Sequence, residues 1–320
     1  PRQRPIDEAA TAADLTTLTA QHARIFAVYW ATDESDPARF IETWLDSHAF
    51  KATDTWYGNV RLAMYASARV SSSVRSPLNV HWGEAITLLG YVLEPRVVSA
   101  GDVLPLTLFW RAELFGIAQR YKVFAHLLDP RGFVIAQRDA EPVGGARPTS
   151  SWKAGETIVD PYGLFIPFGT PPLNYRIEVG LYDASTGQRL KTARGEDHIV
   201  LDPVQVQRAS PPPPLAAYGM QVVNRLAPSV SLIGYRLEKV GAEGQRDFAL
   251  HGGDAIHLTL FWRKEDVSAQ GGVYQWRLGT LTKQTTPTDG LYPLMAWREG
   301  EIVRDDQIIV LPSDWTAGRY

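Results

Sequence analysis

The sequence predicts a mainly β protein in which a small α/β segment precedes two tandem β-sandwiches of immunoglobulin or fibronectin type. Three observations support this fold class: an internal repeat, short segments with alternating apolar residues, and two linker-like stretches. The predicted domains are a small α/β domain over 1–72, a first sandwich over 73–209 and a second sandwich over 215–320. The chain has 320 residues, enough for each part to bury its own core.

The first segment carries the elements of a βαβ unit. Asp7–His22 has leucines at helical spacing and predicts a short amphipathic helix. Ile25–Trp30 is apolar at every position, which is typical of a strand buried on both faces of a parallel sheet. Asp36 followed by Pro37 predicts the start of a second helix, and Asn59–Tyr65 predicts a second strand. Strand, helix and strand together predict the βαβ unit.

Two linkers separate the predicted parts. The first begins at Ser71–Ser73, and the second is Ser210 followed by four consecutive prolines. Consecutive prolines favour the polyproline II conformation, so the second linker is predicted to be stiff.

One pattern occurs twice between and after these linkers. The matching segments are Leu88–Glu94 with Leu232–Glu238, Gly101–Asp102 with Gly253–Asp254, Leu106–Arg111 with Leu258–Arg263, and Trp152, Gly155–Glu156, Asp160 and Pro167 with Trp297, Gly300–Glu301, Asp305 and Pro312. The number of residues that separates matching positions differs along the repeat, and a short insertion near 244–250 followed by a later deletion accounts for this difference. The repeat therefore predicts two copies of one module.

Each copy has the residue patterns of antiparallel strands. Leu104–Trp110 places leucines and a tryptophan at alternate positions, and Ile256–Trp262 repeats that parity in the second copy. Tyr121–Leu128 and Phe133–Gln137 flank an Asp-Pro-Arg-Gly turn and predict a hairpin. Tyr175–Leu181 alternates in the same way. Six or so short strands with turns at this spacing are typical of a β-sandwich.

Three structural predictions follow from the repeat and the α/β segment. Trp110 and Trp262 end equivalent strands, so both indoles are expected to close the core between two sheets. The α/β segment is expected to pack against the first sandwich, because two strands are too few for an independent sheet. The second module is expected to be incomplete at its C-terminus, because Tyr320 aligns with Tyr175 at the start of a strand in the first module.

The composition excludes several classes of site. A formal net charge of −3 gives no electrostatic basis for binding nucleic acid, and the absence of cysteine excludes disulfides and zinc–thiolate sites. The scattered histidines have no metal-ligand spacing, so neither a metal nor a cofactor is predicted. The longest apolar run is far too short to cross a bilayer. The chain opens at Pro1 without an initiator methionine and is expected to be a piece of a longer protein.

The repeated tryptophans before Gly-Glu turns are the candidates for ligand binding. An exposed indole there could stack on a sugar while neighbouring carboxylates accept hydrogen bonds from hydroxyl groups. The alternative is that each indole covers the open end of its core. The predicted ligand-binding residues are Trp152, Glu156, Asp160, Trp297, Glu301 and Asp305. Glu156, Asp160 and Asp139 could also suggest paired catalytic carboxylates. A catalytic pair duplicated in tandem modules would be unusual, and nothing distinguishes these residues from ordinary turn and surface carboxylates, so no catalytic residue is predicted.

The first segment also resembles a known family. Arg24–Trp30, Asp36–Pro37, Phe40–Leu45 and Gly58–Leu62 resemble the tail of multi-pass membrane glycosyltransferases related to the protein O-mannosyltransferases, over about residues 15–66. The resemblance implies an extracytoplasmic region that follows the last membrane helix of an enzyme using a polyprenyl-phosphate sugar donor. It implies that the catalytic acidic residues lie in loops absent from this chain. The later modules resemble β-sandwich extensions of such enzymes and the sugar-polymer-binding sandwiches of polysaccharide export proteins.

The leading functional hypothesis is a non-catalytic, extracytoplasmic ancillary region of a membrane glycosyltransferase that recognises or positions a glycan or lipid-linked sugar. Membrane attachment would come from helices upstream, and the oligomeric state is left open. One alternative is a structural or adhesive surface protein whose sandwiches are spacers. A second alternative is an accessory region of a glycoside hydrolase.

Overall fold

The computed structural model describes residues 6–113, 116–225, 228–241, 249–268 and 271–315. It is mainly β, with several sheets and few helices, and confirms the predicted fold class. The chain forms two compact units. Unit 1 comprises Pro1–Val98, Asp102–Ile166 and Asn174–Gln205, and unit 2 comprises Ser99–Gly101, Pro167–Leu173 and Val206–Tyr320. No helix among the described residues is long and apolar enough to span a membrane.

The α/β segment lies in unit 1 and contains three helices and a three-stranded sheet. Its helices are α1 (Glu8–Gln21), α2 (Thr32–Ser35) and α3 (Phe40–His48), and its strands are β1 (Arg24–Tyr29), β2 (Phe50–Tyr57) and β3 (Val60–Ala66). The sheet order is β1-β3-β2, and both pairings are antiparallel. The predicted parallel pairing of Ile25–Trp30 with Asn59–Tyr65 is therefore wrong. The strand that runs parallel to β1 is β2, and β3 lies between them.

The helix starts follow short-range hydrogen bonding. Asp7 caps α1 by accepting a hydrogen bond from the Ala10 N–H, as its position in the sequence suggests. Asp36 accepts hydrogen bonds from the Phe40 and Ile41 N–H groups. Its carboxylate thus supplies acceptors for two N–H groups of the first turn of α3, which have no partner within the helix. The prediction that Pro37 is the first helical residue is wrong, because α3 begins at Phe40.

The two faces of the sheet are unequal. One face packs against α1 and α3 through a core formed by Leu15, Leu45, Ala49, Ala63 and Tyr65. On the other face, Phe26 and Val28 are 61% and 65% exposed. The prediction that Ile25–Trp30 is buried on both faces is therefore wrong, since helices cover one face only.

The first sandwich consists of two facing sheets. One has the order β10-β7-β5-β4 and the other has the order β6-β13-β11-β8-β9, with the short β12 paired to β11. Their strands are β4 (Ser76–Trp82), β5 (Ile86–Leu93), β6 (Val97–Ser99), β7 (Val103–Ala112), β8 (Tyr121–Leu128), β9 (Val134–Ala140), β10 (Thr157–Phe165), β11 (Asn174–Asp183), β12 (Ile199–Val200) and β13 (Val204–Gln207). The β8–β9 hairpin and the β11 strand confirm two sequence predictions.

One sheet of the second sandwich corresponds strand for strand to the β10-β7-β5-β4 sheet of the first sandwich. Its strands are β14 (Gln221–Arg225), β15 (Val230–Lys239), β16 (Ala255–Lys264), β17 (Tyr274–Leu278), β18 (Leu281–Thr285) and β19 (Ile302–Val310). One sheet has the order β14-β15-β16-β19, and the other described sheet is the β17–β18 hairpin. The strand predicted to begin at Tyr320 lies outside the described residues, so the incomplete C-terminus stays a prediction.

A buried indole occupies the same place in both modules. Trp110 and Trp262 are 0% and 7% exposed, which confirms that they are equivalent core residues. Trp110 Nε1 donates to Asp160 Oδ2 at 3.0 Å, and Trp262 Nε1 donates to Asp305 Oδ2 at 3.2 Å. Each hydrogen bond joins the central strand of a sheet to its neighbour, so the repeat preserves a polar contact as well as apolar packing.

The α/β segment packs against the first sandwich within unit 1, as predicted from its small sheet. Strand β2 lies against β10, where Gly163 is so close to the backbone that an added Cβ would lie 2.8 Å from the Phe50 carbonyl oxygen. Arg24 also forms an ion pair with Asp102. The absence of a side chain at position 163 therefore permits the close approach of two strands.

Candidate functional site

A cleft of about 350 Å³ opens at one end of the α/β segment, beyond the first turn of α3. The volume lies within the range of small-molecule sites. Its wall combines aromatic rings with charged and amide groups. The lining residues that matter for its chemistry are Tyr29, Trp30, Asp33, Arg39, Glu42, Trp56, Asn59 and Arg61.

The register of the sheet brings three of these residues side by side. Tyr29 is opposite Arg61 across the β1–β3 pair, and Arg61 is opposite Trp56 across the β3–β2 pair. Residues directly opposite in antiparallel strands point to the same face of a sheet. All three therefore lie on the helix-covered face, at the end where the helices leave it open.

Arg61 lies against two aromatic rings. Its guanidinium carbon is 4.7 Å from the centre of the Tyr29 ring and 5.5 Å from that of Trp56. Both distances are within the range of a cation–π contact. Trp56 nevertheless stays 65% exposed, and Trp30 at the end of β1 is 60% exposed. The arginine thus holds one indole in place and leaves much of its surface open to a ligand.

Glu42 is the centre of an ionic network in the floor of the cleft. It forms ion pairs with Arg39, Lys51 and Arg61, and the Lys51 Nζ lies 2.9 Å from Glu42 Oε1. Burial alone would raise the pKa of the Glu42 carboxyl, but the three cations reverse this and lower the pKa to about 2. Glu42 is therefore ionised near neutral pH and is a poor proton donor.

The network continues below the cleft. Lys51 Nζ is 2.7 Å from Asp46 Oδ1, and the Tyr65 hydroxyl donates to the same carboxylate at 2.9 Å. The Tyr65 and Tyr29 hydroxyl groups are 3.2 Å apart. Burial raises the pKa of both tyrosines, so they remain protonated and serve as hydrogen-bonding groups. Every one of these charged side chains has a partner of opposite charge, which keeps the floor rigid and close to electrically neutral.

The side chains that line the cleft offer contacts of several kinds to a polar ligand. The ionised Glu42 is held by three cations, and the protonated tyrosines face a carboxylate. In the described parts of the chain, no group of three or more histidine or acidic side chains is arranged to hold a metal ion. Exposed indoles, an amide and paired charges can instead contact the apolar and hydroxylated faces of a polar ligand.

The tryptophans predicted from the repeat occupy a different environment. Trp152 and Trp297 are each 3% exposed, and their Nε1 groups donate to the Arg147 and Tyr292 carbonyl oxygens. The expectation that they stack on a sugar is therefore wrong, because their ring faces are inside the protein. They cover the ends of the cores, which was the alternative interpretation.

The predicted carboxylates also have structural partners. Asp160 and Asp305 are buried beneath the Trp110 and Trp262 indoles, where no ligand reaches them. Burial raises the pKa of Asp160 to about 6, although hydrogen bonds from the Val143 N–H and the Trp110 indole oppose the shift. Burial also raises the pKa of Asp305.

The two glutamates of the Gly-Glu turns are only partly buried. Glu156 forms an ion pair with Arg147 at 2.6 Å, and Glu301 forms one with Arg208 at 3.0 Å. Glu301 also lines a cavity of about 460 Å³ in unit 2. The six predicted residues are thus distributed between core and ion pairs and do not form one site.

Sequence reasoning missed the cleft because it assigned β1 to a buried sheet. The available signal was Trp30, followed at once by a polar segment that contains Asp33 and Asp36. The second signal was Trp56 before a Gly-Asn turn, at the tip of a hairpin whose first strand was not predicted. Neither tryptophan could be placed beside Arg61 without the antiparallel register.

Comparisons with known proteins give limited information. No protein-family model matches the chain, and no curated protein matches it. The chain is similar to the crystal structure of the C-terminal domain of Wzt, with a TM-score of 0.31 and 10% sequence identity, over 44% of this chain and 85% of that chain. It is also similar to a calcium-binding mutant of Bacteroides uniformis β-glucuronidase 2, with a TM-score of 0.23 and 15% identity, over 45% of this chain and 15% of that chain. These scores identify no function.

Proposed function

We propose that this chain is a non-catalytic glycan-recognition module and that the cleft of the α/β segment is its binding site. The observation that carries the proposal is the pair of exposed indoles, Trp30 and Trp56, at a cleft whose wall also contains hydrogen-bonding groups. Sugars present C–H faces that pack on flat aromatic rings and hydroxyl groups that need polar partners.

The charges of the cleft favour an uncharged sugar over a strongly anionic one. The carboxylates of Glu42, Asp46 and Asp54 pair with the three cations of this described network, so each cation already has an acidic partner that would compete with a phosphate or carboxylate ligand. The cations are Arg39, Lys51 and Arg61. The Asn59 amide and the Asp33 carboxylate remain at the wall as groups that can accept hydrogen bonds from hydroxyls. A neutral glycan uses both the indoles and these acceptors.

The proposal is tested by glycan-array binding of the whole chain and of single variants. We expect Trp56→Ala and Trp30→Ala each to weaken binding of any selected neutral glycan about tenfold or more, because loss of a stacking indole costs about 1.4 kcal/mol or more. Phe26→Ala is the matched control, since Phe26 is similarly exposed but lies on the other face of the sheet. Binding that survives both tryptophan changes would refute the assignment of the cleft.

A second candidate function is contact with another protein, as in a structural or adhesive surface protein. The exposed Phe26 and Val28 form an apolar strip on the outer face of the sheet, opposite the cleft. If this strip were the functional surface, Phe26→Ala would abolish partner binding while Trp56→Ala would leave it intact. The same three variants therefore distinguish the two candidates.

The proposal extends to a parent enzyme. In this wider form, the glycan or polyprenyl-linked sugar is positioned for a membrane glycosyltransferase, and the chain lies on the extracytoplasmic side. The support is the resemblance of residues 15–66 to the tail of such enzymes. The gene should then encode membrane helices upstream of Pro1. A gene without them would refute this extension and leave glycan recognition itself to be judged by the array.

A further inference from the structure

The cavity of about 460 Å³ that Glu301 lines has a chemistry of its own. All the residues that line it belong to unit 2, and none of them lines the cleft of the α/β segment. Its volume is within the range of small-molecule sites. Its wall combines a turn surrounded by arginines with the proline-rich segment that enters the second module. The cavity is therefore a candidate for a second ligand, distinct from the proposed glycan.

The charged part of the wall is built around the turn that precedes β19. The Arg298 N–H donates to Glu301 Oε2 at 2.7 Å, and the Glu301 N–H donates back to the Arg298 carbonyl oxygen. Arg263 is opposite Ile302 in the β16–β19 register, so both side chains lie on the same face of the sheet. Arg208 reaches the turn by donating to both carboxylate oxygens of Glu301 at 3.0 Å. Three guanidinium groups thus gather at this turn.

The three arginines differ in their ionic partners. Arg208 pairs with Glu301, and Arg263 pairs with Glu265, which does not line the cavity. Both arginines use their Nε and Nη2 groups, and neither Nη1 bonds to a described residue or is fully buried. Arg298 is exposed and has no ion pair with a described residue. Unlike the cations of the cleft, these groups therefore keep N–H donors for an anionic ligand.

The apolar part of the wall comes from the proline-rich segment. Pro212, Pro213 and Leu215 line the cavity, and Leu215 is 47% exposed. Tyr218 also lines it, but its ring lies edge-on to Phe261 at 5.6 Å and is buried against the sheet. The described wall therefore offers aliphatic surface beside guanidinium groups, without the exposed aromatic ring on which a sugar stacks.

We infer that this cavity binds a small amphiphilic anion, which has a carboxylate or phosphate head and a short aliphatic body. The head accepts hydrogen bonds from Arg298 and Arg263, because the planar guanidinium group matches both kinds of anion. The body packs on Pro213 and Leu215 and is removed from water. This site does not depend on the glycan proposal, since it shares no residue with the cleft.

A carboxylate in the same wall makes the sign of the ligand's charge testable. Glu299 lines the cavity next to Arg298 and has no ion pair with a described residue. It repels an anionic head and would attract a cationic one. Glu299→Gln should therefore tighten binding of the anion about threefold. Weaker binding in this variant would instead indicate a ligand with an ammonium group and would overturn the inference.

The direct test is calorimetric titration of the 320-residue chain with hexanoate and, separately, with hexyl phosphate. The tighter of the two identifies the head group. Arg298→Gln should weaken its binding about tenfold, because one charged hydrogen-bonding partner is lost. Lys153→Gln is the matched control and should change nothing, since Lys153 follows Trp152 as Arg298 follows Trp297 but does not line the cavity. The melting temperature should stay unchanged in both variants, which separates lost binding from lost folding.

A series of chain lengths tests the aliphatic wall. From butanoate to hexanoate to octanoate, affinity should rise about threefold for each added CH₂ group. Leu215→Ser should reduce this rise and leave butanoate binding nearly unchanged. Trp56→Ala should not affect these anions, so failure of this site and failure of the glycan site are distinguishable. No saturable binding by any of these anions would overturn the inference, as would an affinity independent of chain length or of Arg298.

Discussion

The carboxylate beneath each core tryptophan is the residue-scale feature that the two modules share most closely. Asp160 is fully buried and accepts hydrogen bonds from the Trp110 indole and the Val143 N–H. Since no cation accompanies these donors, burial dominates and the pKa of Asp160 rises to about 6. Glu42 shows the opposite result, because its cations lower its pKa despite burial. The charge of the neighbouring groups, more than the degree of burial, therefore decides whether each carboxyl group is protonated.

The shifted pKa of Asp160 predicts a pH dependence. Between about pH 4 and pH 6, the folded chain holds a proton on Asp160 that the unfolded chain has released, so the folded state loses stability as pH rises through this window. The loss should approach about 3 kcal/mol as an order of magnitude. Asp160→Asn should remove most of this fall. The measurement is the free energy of opening of β7 and β10, obtained from hydrogen exchange at several pH values.

The control for this prediction is Asp14→Asn, on the exposed side of α1. That variant should keep the pH dependence of the wild-type chain. An Asp160→Asn variant with the same slope as wild type between pH 4 and pH 6 would show that Asp160 is ionised in the folded protein throughout this range.

The core tryptophans themselves should be costly to truncate. Trp110→Ala and Trp262→Ala should each destabilise their own module by about 3–5 kcal/mol, because each leaves a large cavity. Each change also removes a hydrogen bond to a buried carboxylate. Hydrogen exchange of β7 and of β16 reports the two modules separately. A cost below about 1 kcal/mol in either module would contradict the equivalence of the two positions.

At the scale of elements, the contact between β2 and β10 depends on the lack of a side chain at Gly163. A Cβ there would meet two backbone oxygen atoms, of Phe50 at 2.8 Å and Lys51 at 2.9 Å, and neither can rotate away. Gly163→Ala should therefore destabilise unit 1 by about 1–3 kcal/mol and speed proteolytic cleavage near residues 67–75. Gly271→Ala, where a Cβ would meet nothing, is the control and should be neutral.

The sequence predicted an element correctly where the spacing of its apolar residues is compatible with only one kind of secondary structure. The repeated Leu-Thr-Leu-Phe-Trp-Arg segment predicted a strand in both modules, and the core tryptophan followed from its parity. It predicted β1 poorly, because an all-apolar strand can be covered on both faces or left exposed on one. It missed β2, whose Lys51 and Asp54 belong to an ionic network that sequence periodicity does not reveal. The cleft depended on both errors and therefore could not be predicted.

At the scale of the whole molecule, the two modules correspond strand by strand in the sheets around β7 and β16. In the other sheet, the described residues of the second module form only the β17–β18 hairpin, where the first module has a larger sheet. An internal repeat therefore predicts the backbone path of the second module, and only the structure shows how its side chains find different partners.

The ion pair at the Gly-Glu turn has a consequence for the autonomy of the second module. In the first module, the arginine that pairs with Glu156 is Arg147, five residues before Trp152. In the second module that place is taken by Tyr292, and Arg208, two residues before the proline linker, supplies the guanidinium to Glu301. The second module thus takes this ion pair from a residue that precedes its predicted start at 215. A fragment that starts at 215 would lack this arginine. A fragment that contains the complete second module should therefore begin before residue 208, and neither module can replace the other.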